Sequence, residues 1–311
     1  MDRPLRHALV LGGTGFIGRS VVDALRDQGV EVTIVDRSPS AKRSVDVVTG
    51  DLRSLDVGKL ARERSIDAVF NLSGSADVPG SIENPTADLN ANVATLIPLL
   101  ESLRHLDEPP LHVFASTAAI YGPPRYLPID EEHPTLPLSP YAVSKLAAEH
   151  YVRVYARLHG LPSVSLRLFS VYGPGQTKQA VFDLLRRALD PGEVLRVHGP
   201  PETTRDFIFV RDVASAFVAV ARASGADAAV YNLASGHGTT LRELAEAVLA
   251  ATGVEKQLEF QTEIRPGDPD RYVGSPDLLA GLGIRLTTRL EDGLLATTTW
   301  LREAPPLGGS V

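Results

Sequence analysis

Two side chains four residues apart, Tyr141 and Lys145, have the types and spacing of a pair that deprotonates an alcohol. They follow a proline-rich stretch, so the sequence predicts them at the start of a helix, where positions four apart share a face. A tyrosine titrates at about 10 on its own. A nearby ammonium favours its phenolate, and a second positive charge beside it would do the same. Taken alone, the pair also fits a half-buried tyrosine beside a solvated lysine.

Hydroxyl side chains end a predicted strand in the segment 115–122 (ASTAAIYG). The carboxyl ends of parallel strands form a crevice, so Thr117 is placed to orient a substrate hydroxyl there. A serine or threonine at a strand end also caps turns and helices, and that alternative stays open.

A glycine-rich turn follows the first predicted strand. Residues 12–18 (GGTGFIG) place Gly12, Gly15 and Gly18 at dinucleotide-binding spacing. Glycines permit a tight turn and close approach to a pyrophosphate, and the free N–H groups of a following helix bind anions. The sequence therefore predicts that this turn binds a dinucleotide, with Phe16 and Ile17 at the helix start in contact with it.

An acidic residue, Asp36, ends the second predicted strand. A carboxylate about 20 residues past such a turn accepts hydrogen bonds from an adenosine ribose and repels a 2′-phosphate, which favours NAD. The adjacent Arg37 is able to pair with a 2′-phosphate or stack on adenine, so NADP stays open as an alternative.

Short β-branched runs alternate with helical segments from residue 8 to about 170. This pattern is typical of an α/β fold, a doubly wound parallel sheet covered by helices on both faces. The predicted strands are Ala8–Leu11, Glu31–Asp36, Val45–Val48, Ala68–Leu72, His112–Ala115 and Val164–Phe169.

Helices are predicted over Phe16–Gln28, over Thr86–Leu106 with a kink or a shortening caused by Pro98, and over Tyr141–Leu158 after a long loop. Further helices are predicted near 179–189, 211–223, 241–251 and 291–302. The expected organisation is a Rossmann domain over 1–170, with returning segments near 205–235, and a smaller substrate lobe over 171–311.

The composition excludes several classes of protein. With no cysteine, the chain has no disulfide, thiolate nucleophile or Cys-type zinc site. The net charge of −7 argues against a sequence-independent nucleic-acid partner.

His198 and His237 lack partners at metal-ligand spacing, so both are interpreted as loop residues and no metal is expected. No apolar run approaches about 18 residues, so a cytoplasmic protein without a membrane partner is expected.

Together with the residues above, Asn71–Gly74 (NLSG) makes the chain resemble the extended short-chain dehydrogenase/reductases of the NAD-dependent epimerase/dehydratase family. Within that family it resembles nucleotide-sugar epimerases of the UDP-glucose 4-epimerase type. The resemblance covers nearly the whole chain, through segments 81–93 (SIENPTADLNANV), 166–176 (LRLFSVYGPGQ), 205–216 (RDFIFVRDVASA), 231–244 (YNLASGHGTTLREL) and 265–268 (RPGD).

The resemblance implies roles residue by residue. Thr117, Tyr141 and Lys145 correspond to catalytic residues. Asp51 and Leu52 correspond to residues that flank the adenine, and Leu72–Gly74 to residues that line the cofactor cleft. The full implied cofactor-binding set comprises Gly12, Gly15, Phe16, Ile17, Gly18, Asp36, Arg37, Asp51, Leu52, Leu72, Ser73, Gly74, Tyr141 and Lys145.

The substrate side is expected in the second lobe. Arg205 and Arg265 are two guanidiniums able to clamp a diphosphate, and Asp268 is placed to bind a nucleotide ribose. Tyr272 falls where related epimerases gate the sugar 2-substituent, so its ring is expected to disfavour N-acetylated sugars. Ser170 replaces the family's asparagine, which removes one amide contact to the substrate.

Ala118 and Ala119 stand where the dehydratases of the family carry an acid pair, so elimination chemistry lacks its acid.

The resemblance thus implies a UDP-glucose/UDP-galactose 4-epimerase with tightly bound NAD, acting on a nucleotide-diphosphate sugar. It also implies a homodimer formed by Thr86–Leu106 and Tyr141–Leu158. A reductase of nucleotide-linked 4-keto-6-deoxyhexoses and a non-catalytic dinucleotide sensor are the alternatives.

Overall fold

The computed structural model describes residues 4–37, 45–223, 227–261 and 270–303. The elements up to the sixth strand are β1 (His7–Leu11), α1 (Phe16–Asp27), β2 (Glu31–Asp36), β3 (Asp46–Thr49), α2 (Val57–Glu63), β4 (Ala68–Asn71), α3 (Val78–Glu83), α4 (Pro85–Leu89), α5 (Leu96–Arg104), β5 (Leu111–Thr117), α6 (Pro140–His159) and β6 (Ser163–Leu168). The remaining elements are β7 (Ser170–Tyr172), α7 (Ala180–Leu189), β8 (Val194–His198), β9 (Thr204–Arg205), β10 (Phe207–Phe209), α8 (Val210–Arg222), β11 (Asp227–Leu233), β12 (Thr239–Thr240), α9 (Leu241–Thr252), β13 (Gln257–Gln261), β14 (Arg271–Tyr272), α10 (Asp277–Gly281) and α11 (Leu290–Glu303).

A seven-stranded sheet in the order β11-β6-β5-β4-β1-β2-β3 forms the centre of the molecule. Every neighbouring pair in it is parallel. From β1 the chain adds β2 and β3 toward one edge of the sheet, and it then returns to add β4 on the other side of β1. Ligands bind at such a switch point, here between β1 and β4, in open α/β sheets. The doubly wound fold and its six predicted strands are confirmed. The seventh strand, β11, joins from late in the chain.

Helices cover both faces of this sheet. On one face α1 packs against α8, and Val21 and Leu25 of α1 are fully buried. On the other face lie α2, α5 and α6, with Leu99 and Leu103 of α5 in the core. This burial of the apolar stripes fixes where the N-terminus of α1 and the first turn of α6 lie, at the carboxyl edge of the sheet.

The predicted helix over 86–106 is shortened, and its last segment, α5, begins two residues before Pro98. The break lies earlier, in a π-helical turn, Asn90–Ala94, between α4 and α5. Pro98 is the third residue of α5. It has no N–H to donate to the carbonyl four residues earlier, that of Ala94, which is the last residue of the π-helical turn.

The long proline-rich segment is a loop, as predicted. After a 3-10 turn, Ala118–Tyr121, the chain has no helix or strand until α6, apart from one bridge between Ile129 and Gly274. The hydroxyl of Ser139 accepts a hydrogen bond from the Ala142 N–H at 3.2 Å and caps α6. The cap determines where Tyr141 begins its helical turn.

The second half of the chain forms smaller sheets and helices beside the central sheet. The pairs β7-β10 and β8-β13 and the sheet β12-β9-β14 pack with α7, α9 and α11 around a separate apolar cluster that includes Leu185, Leu244 and Leu294. The four helices predicted after residue 170 are confirmed by α7, α8, α9 and α11. The predicted domain boundaries stay a prediction.

Candidate active site

A cleft of about 640 Å³ opens at the carboxyl edge of the central sheet, a volume typical of small-molecule sites. It runs from the glycine turn to the smaller sheets of the second half. The sequence-predicted residues that line it are Gly12, Gly15, Phe16, Ile17, Gly18, Leu72, Ser73, Gly74, Thr117, Tyr141, Lys145, Ser170 and Arg205. One cleft therefore joins the predicted cofactor, catalytic and substrate residues.

The glycine turn is packed so closely that it excludes side chains. A Cβ at Gly18 would lie 2.2 Å from the Gly12 carbonyl oxygen, and one at Gly12 would lie 2.8 Å from the Leu72 carbonyl oxygen. Gly12 also has a φ of +76°, which favours glycine. No side chain caps the start of α1 at Gly15. The turn thus presents bare backbone and a helix N-terminus to the cleft, which fits a dinucleotide pyrophosphate.

The acid at the end of β2 lies behind this turn. Asp36 Oδ2 accepts hydrogen bonds from Thr14 Oγ1 at 2.5 Å and from the Thr14 N–H at 3.2 Å. Arg37 follows it and is exposed. Neither side chain lines the cleft, so the structure places them at its outer margin, beyond the glycine turn.

The predicted adenine-flanking residues follow β3. The Arg53 side chain donates hydrogen bonds to the Asp51 carboxylate, with Nη2 2.5 Å from Oδ2. These bonds, together with the charge of Arg37, lower the pKa of Asp51 to about 2. Leu52 packs against the core on the α2 side. These residues lie near Arg37 and do not line the cleft.

The loop after β4 forms the cleft wall beside the glycine turn. Ser73 Oγ donates a 2.6 Å hydrogen bond to Asn71 Oδ1. Gly74 has a φ of +116°, and a Cβ there would lie 2.4 Å from Asn92 Oδ1. The position of this wall therefore depends on Asn92, which lies in the π-helical turn.

Tyr141 and Thr117 meet at the floor of the cleft. Tyr141 is 8% exposed, and a side-chain hydrogen bond joins it to Thr117. Burial raises the pKa of Tyr141, the nearby Asp88 carboxylate raises it as well, and the Thr117 hydrogen bond lowers it. In the protein chain alone the net shift is upward. The lowering expected from the sequence thus depends on the positive charge of the cofactor.

Lys145 lies one helical turn beyond Tyr141. Its Nζ donates a 2.5 Å hydrogen bond to the Ala115 carbonyl oxygen and lies 4.2 Å from the centre of the Phe114 ring. Burial lowers the pKa of Lys145 to about 8, against the charges of Glu149 and Asp88, which raise it. The ammonium is therefore close to its titration range at neutral pH.

A buried ion pair between Arg167 and Glu149 lies beneath the floor of the cleft. Arg167 Nη2 lies 2.6 Å from Glu149 Oε1, and both side chains are buried. Ser116 Oγ donates to Glu149 Oε2 at 2.7 Å, and Arg167 Nη1 donates to the Tyr121 hydroxyl at 2.7 Å. The pair thereby links α6 and β6 to the strand end that carries Thr117.

The predicted substrate residues are only partly described. Ser170 and Arg205 line the cleft opposite the glycine turn, and Arg205 Nη1 donates to the Thr204 carbonyl oxygen at 2.9 Å. Arg265 and Asp268 lie outside the residues that the structure describes. Tyr272 does not line the cleft, but it packs on Phe169, which does.

Sequence reasoning missed several polar residues of the cleft, among them Gln176, Gln179 and His198. Gln176 and Gln179 line it from the loop before α7, and Gln176 Oε1 is buried without a hydrogen-bond partner. His198, predicted as a loop residue, ends β8 and lines the cleft, with its Nδ1 bonded to Gln261. Gln176 belongs to the family-like segment 166–176, which is the one signal that points to it.

The described residues hold no group of three or more histidine, aspartate or glutamate side chains able to bind a metal ion. None of the helices in the described ranges has the length and apolar character needed to cross a membrane.

The arrangement of glycine turn, Thr117, Tyr141 and Lys145 agrees with comparisons to known proteins. The profile of the NAD dependent epimerase/dehydratase family matches residues 8–234. The chain belongs to this family. NAD is therefore its cofactor, and the narrow backbone cradle described above fits it.

Individual relatives agree with the family assignment. The chain is similar to a UDP-glucose 4-epimerase of Streptomyces lividans, at 35% identity over 79% of this chain and 80% of the relative. It is also similar to the solved structure of Thermus thermophilus UDP-glucose 4-epimerase in complex with NAD, at 34% identity and a TM-score of 0.86 over 96% of this chain and all of that one. A UDP-N-acetylglucosamine 4-epimerase of Methanobrevibacter ruminantium matches with 28% identity and a TM-score of 0.89, over 96% and 99% of the two chains.

Proposed function

We propose that this chain is a UDP-glucose/UDP-galactose 4-epimerase that keeps NAD bound throughout its catalytic cycle. The observation that carries the proposal is the meeting of Thr117, Tyr141 and Lys145 at the floor of a single cleft, between the glycine turn and Arg205. Membership of the epimerase/dehydratase family and the similarity to UDP-glucose 4-epimerases support it.

The chemistry at carbon 4 divides between the cofactor and the protein. NAD, when bound, supplies reversible removal of the hydride from carbon 4. Tyr141 takes the proton of the 4-hydroxyl at its Oη, and it returns that proton after the 4-keto hexose has presented its other face. Thr117, already hydrogen-bonded to the phenol, orients the same hydroxyl. The ammonium of Lys145 stabilises the phenolate and holds the cofactor ribose.

Rotation of the hexose requires that the rest of the substrate stay fixed. Arg205 lines the cleft on the side opposite the glycine turn, where its guanidinium binds the diphosphate, and Arg265 is proposed to complete the clamp. Asp268 is proposed to bind the nucleotide ribose. Ser170 is shorter than an asparagine, which leaves additional room for the turning sugar at this side of the cleft.

Asp36, Asp51 and Leu52 are proposed to hold the adenosine half of NAD. Asp36 lies just behind the glycine turn through its bonds to Thr14, and Arg37 and Arg53 surround the Asp51 carboxylate with positive charge. A ribose 2′-hydroxyl donates to Asp36, whereas a 2′-phosphate is repelled by it.

A homodimer is proposed to form through α4, α5 and α6. Helix α6 presents an exposed apolar stripe, the members of which are Val143, Tyr151, Val154 and Leu158, and Leu89 of the adjacent α4 is exposed beside it. A stripe of this kind is typical of a helix that packs against a partner. Light scattering coupled to size-exclusion chromatography measures the mass in solution, and a monomer at micromolar concentration would contradict the proposal.

Proton NMR tests the activity. The purified protein is mixed in turn with UDP-glucose, UDP-galactose, UDP-glucuronate and UDP-N-acetylglucosamine without added cofactor, and the anomeric region is followed. We expect UDP-glucose and UDP-galactose to interconvert with the cofactor that the protein retains. No change with any of the four, together with oxidation of added NADH or NADPH by a 4-keto-6-deoxy sugar nucleotide, would replace the epimerase by the reductase.

A further inference from the structure

A buried carboxylate that the mechanism above does not use lies beside the catalytic pair. Asp88 belongs to α4 and is 4% exposed. Its Oδ2 accepts a 2.5 Å hydrogen bond from Ser144 Oγ, and its Oδ1 accepts a 3.0 Å hydrogen bond from Asn92 Nδ2. Burying a carboxylate is costly unless hydrogen bonds or an opposite charge compensate for its lost hydration. We call Asp88, Asn92 and Ser144 the Asp88 cluster.

The cluster joins the catalytic helix to the cleft wall. Ser144 lies between Tyr141 and Lys145 in α6, and its hydroxyl is 3.0 Å from the Tyr141 carbonyl oxygen. Asn92 Oδ1 accepts a 3.0 Å hydrogen bond from the Ser75 N–H in the loop after β4, and its Nδ2 also lies 3.1 Å from Ser144 Oγ. The carboxylate of Asp88 is the acceptor that both side chains share.

The π-helical turn gives Asn92 this position. A π-helical turn inserts one residue into a helix. The insertion rotates the side chains that follow it by about 100° relative to an uninterrupted α-helix. With the turn in place, Asn92 faces α6 while Leu96 and Leu99 of α5 still face the core. Single π-turns are found frequently at functional sites, which agrees with this arrangement.

The charges around the catalytic pair distinguish Asp88 from the other acid nearby. Glu149, on α6, also raises the pKa of Lys145, but its charge is balanced by the ion pair with Arg167. The two side chains that bond to Asp88 are neutral, so its charge acts on Tyr141 and Lys145 without such compensation. It raises the pKa of both. The hydroxyl of Thr117, on β5, and the ring of Phe114 are the neutral groups that face the pair.

We propose that Asp88 is a positioning residue of the active site: its buried negative charge keeps Lys145 protonated at the working pH, and its bonds to Ser144 and Asn92 hold the first turn of α6 against the cleft wall. The inference rests on the proposed function, because it concerns the same tyrosine and lysine.

The Asp88→Asn variant isolates the charge. An asparagine has the same shape, and by accepting from Asn92 and donating to Ser144 it retains both bonds. Ser144→Ala is the matched variant that removes a bond and keeps the charge. We expect Asp88→Asn to move both limbs of the kcat profile toward lower pH by about one unit and to lower kcat at pH 8 by about fivefold, with KM for the sugar nucleotide little changed. Ser144→Ala lowers kcat without moving the limbs.

An absorbance titration tests the same charge without any turnover. The ultraviolet absorbance of tyrosinate is followed against pH in proteins with and without Tyr141→Phe, so that the difference reports Tyr141 alone. Its midpoint is expected to fall in Asp88→Asn and to stay in Ser144→Ala. If no UDP-sugar is converted, the proposed function fails, and this titration still decides the role of Asp88.

Unchanged midpoints and limbs in Asp88→Asn overturn the proposal, even if activity falls. An equal shift in Ser144→Ala also overturns it, because the bond and not the charge would then be responsible. If Asp88→Asn does not fold, Asp88→Ser, which is smaller and equally neutral, takes its place in both measurements.

Discussion

The hydroxyl of Tyr272 donates a hydrogen bond to the carbonyl oxygen of Ala118, so that a side chain from β14 is tied to the chain one residue past Thr117. The ring packs on Phe169 with 5.6 Å between ring centres. Burial raises the pKa of Tyr272, which keeps the hydroxyl protonated and able to donate. The ring is thereby fixed against Phe169, which lines the cleft.

Replacing this ring should widen the sugar specificity. In Tyr272→Ala we expect the ratio of kcat/KM for UDP-N-acetylglucosamine to that for UDP-glucose to rise about tenfold or more, because the space for a 2-acetamido group is created and a packed ring is lost. Coupled assays with each substrate measure the ratio. Tyr126→Ala, at an exposed tyrosine of the proline-rich loop, is the control. An unchanged ratio would show that Tyr272 does not limit the substrate.

Removing the phenol hydroxyl should abolish turnover. Tyr141→Phe is expected to lower kcat by about 10²–10⁴-fold, because no other group accepts the proton of the 4-hydroxyl. The NAD content of the purified protein should stay near that of the unmodified chain. Tyr151→Phe is the matched control, since Tyr151 lies on the same helix with 40% exposure and faces away from the cleft. Near-normal activity in Tyr141→Phe would refute the proposed role of the tyrosine.

The pH dependence should report Lys145. Burial lowers its pKa to about 8, so its ammonium is present below that pH and is lost above it. We therefore expect kcat to fall as the pH rises through about 8. In Lys145→Arg the side chain stays charged over the whole range, and the fall should disappear at a lower overall rate. Lys59→Arg, at an exposed lysine, serves as control. A flat profile up to about pH 10 in the unmodified protein would contradict the assignment.

The glycine turn should not tolerate a methyl group. In Gly18→Ala the new Cβ would lie 2.2 Å from the Gly12 carbonyl oxygen, so the backbone must move. We expect a loss of about 3 kcal/mol in the free energy of unfolding and loss of most of the bound NAD. Gly281→Ala, where nothing lies within 4 Å of the added Cβ, should leave both unchanged. Thermal melts and the absorbance of released cofactor measure the two effects.

The buried ion pair should matter far more than an exposed one. Glu149→Gln leaves the buried Arg167 guanidinium without its counter-charge, and we expect about 3–5 kcal/mol of destabilisation. Glu259→Gln breaks a pair with Arg196 in which both side chains are more than half exposed, and about 1 kcal/mol or less is expected. Urea denaturation of both variants provides the comparison. Equal losses would show that Glu149 does not stabilise the fold through its charge.

Local patterns in the sequence predicted much of this protein correctly. The β-branched runs predicted the first six strands, and the glycine spacing with its following helix predicted the start of α1. Pro98 predicted the interruption of the helix over 86–106, but the π-helical turn just before it was not predicted, because the sequence carries no simple signal for such a turn. The segment 265–268, with Arg265 and Asp268, lies outside the described residues, so its predicted roles stay predictions.

The sequence by itself determined the elements, the family resemblance and the pairing of Tyr141 with Lys145, since these depend on neighbours within one helical turn or one strand. Only the tertiary structure decided what surrounds that pair. Asp88 lies more than fifty residues before Tyr141 in the chain and bonds beside it because α4 packs on α6. Burial, which sets the pKa of Lys145, and the contact of Tyr272 with Ala118 also arise only when distant segments pack together.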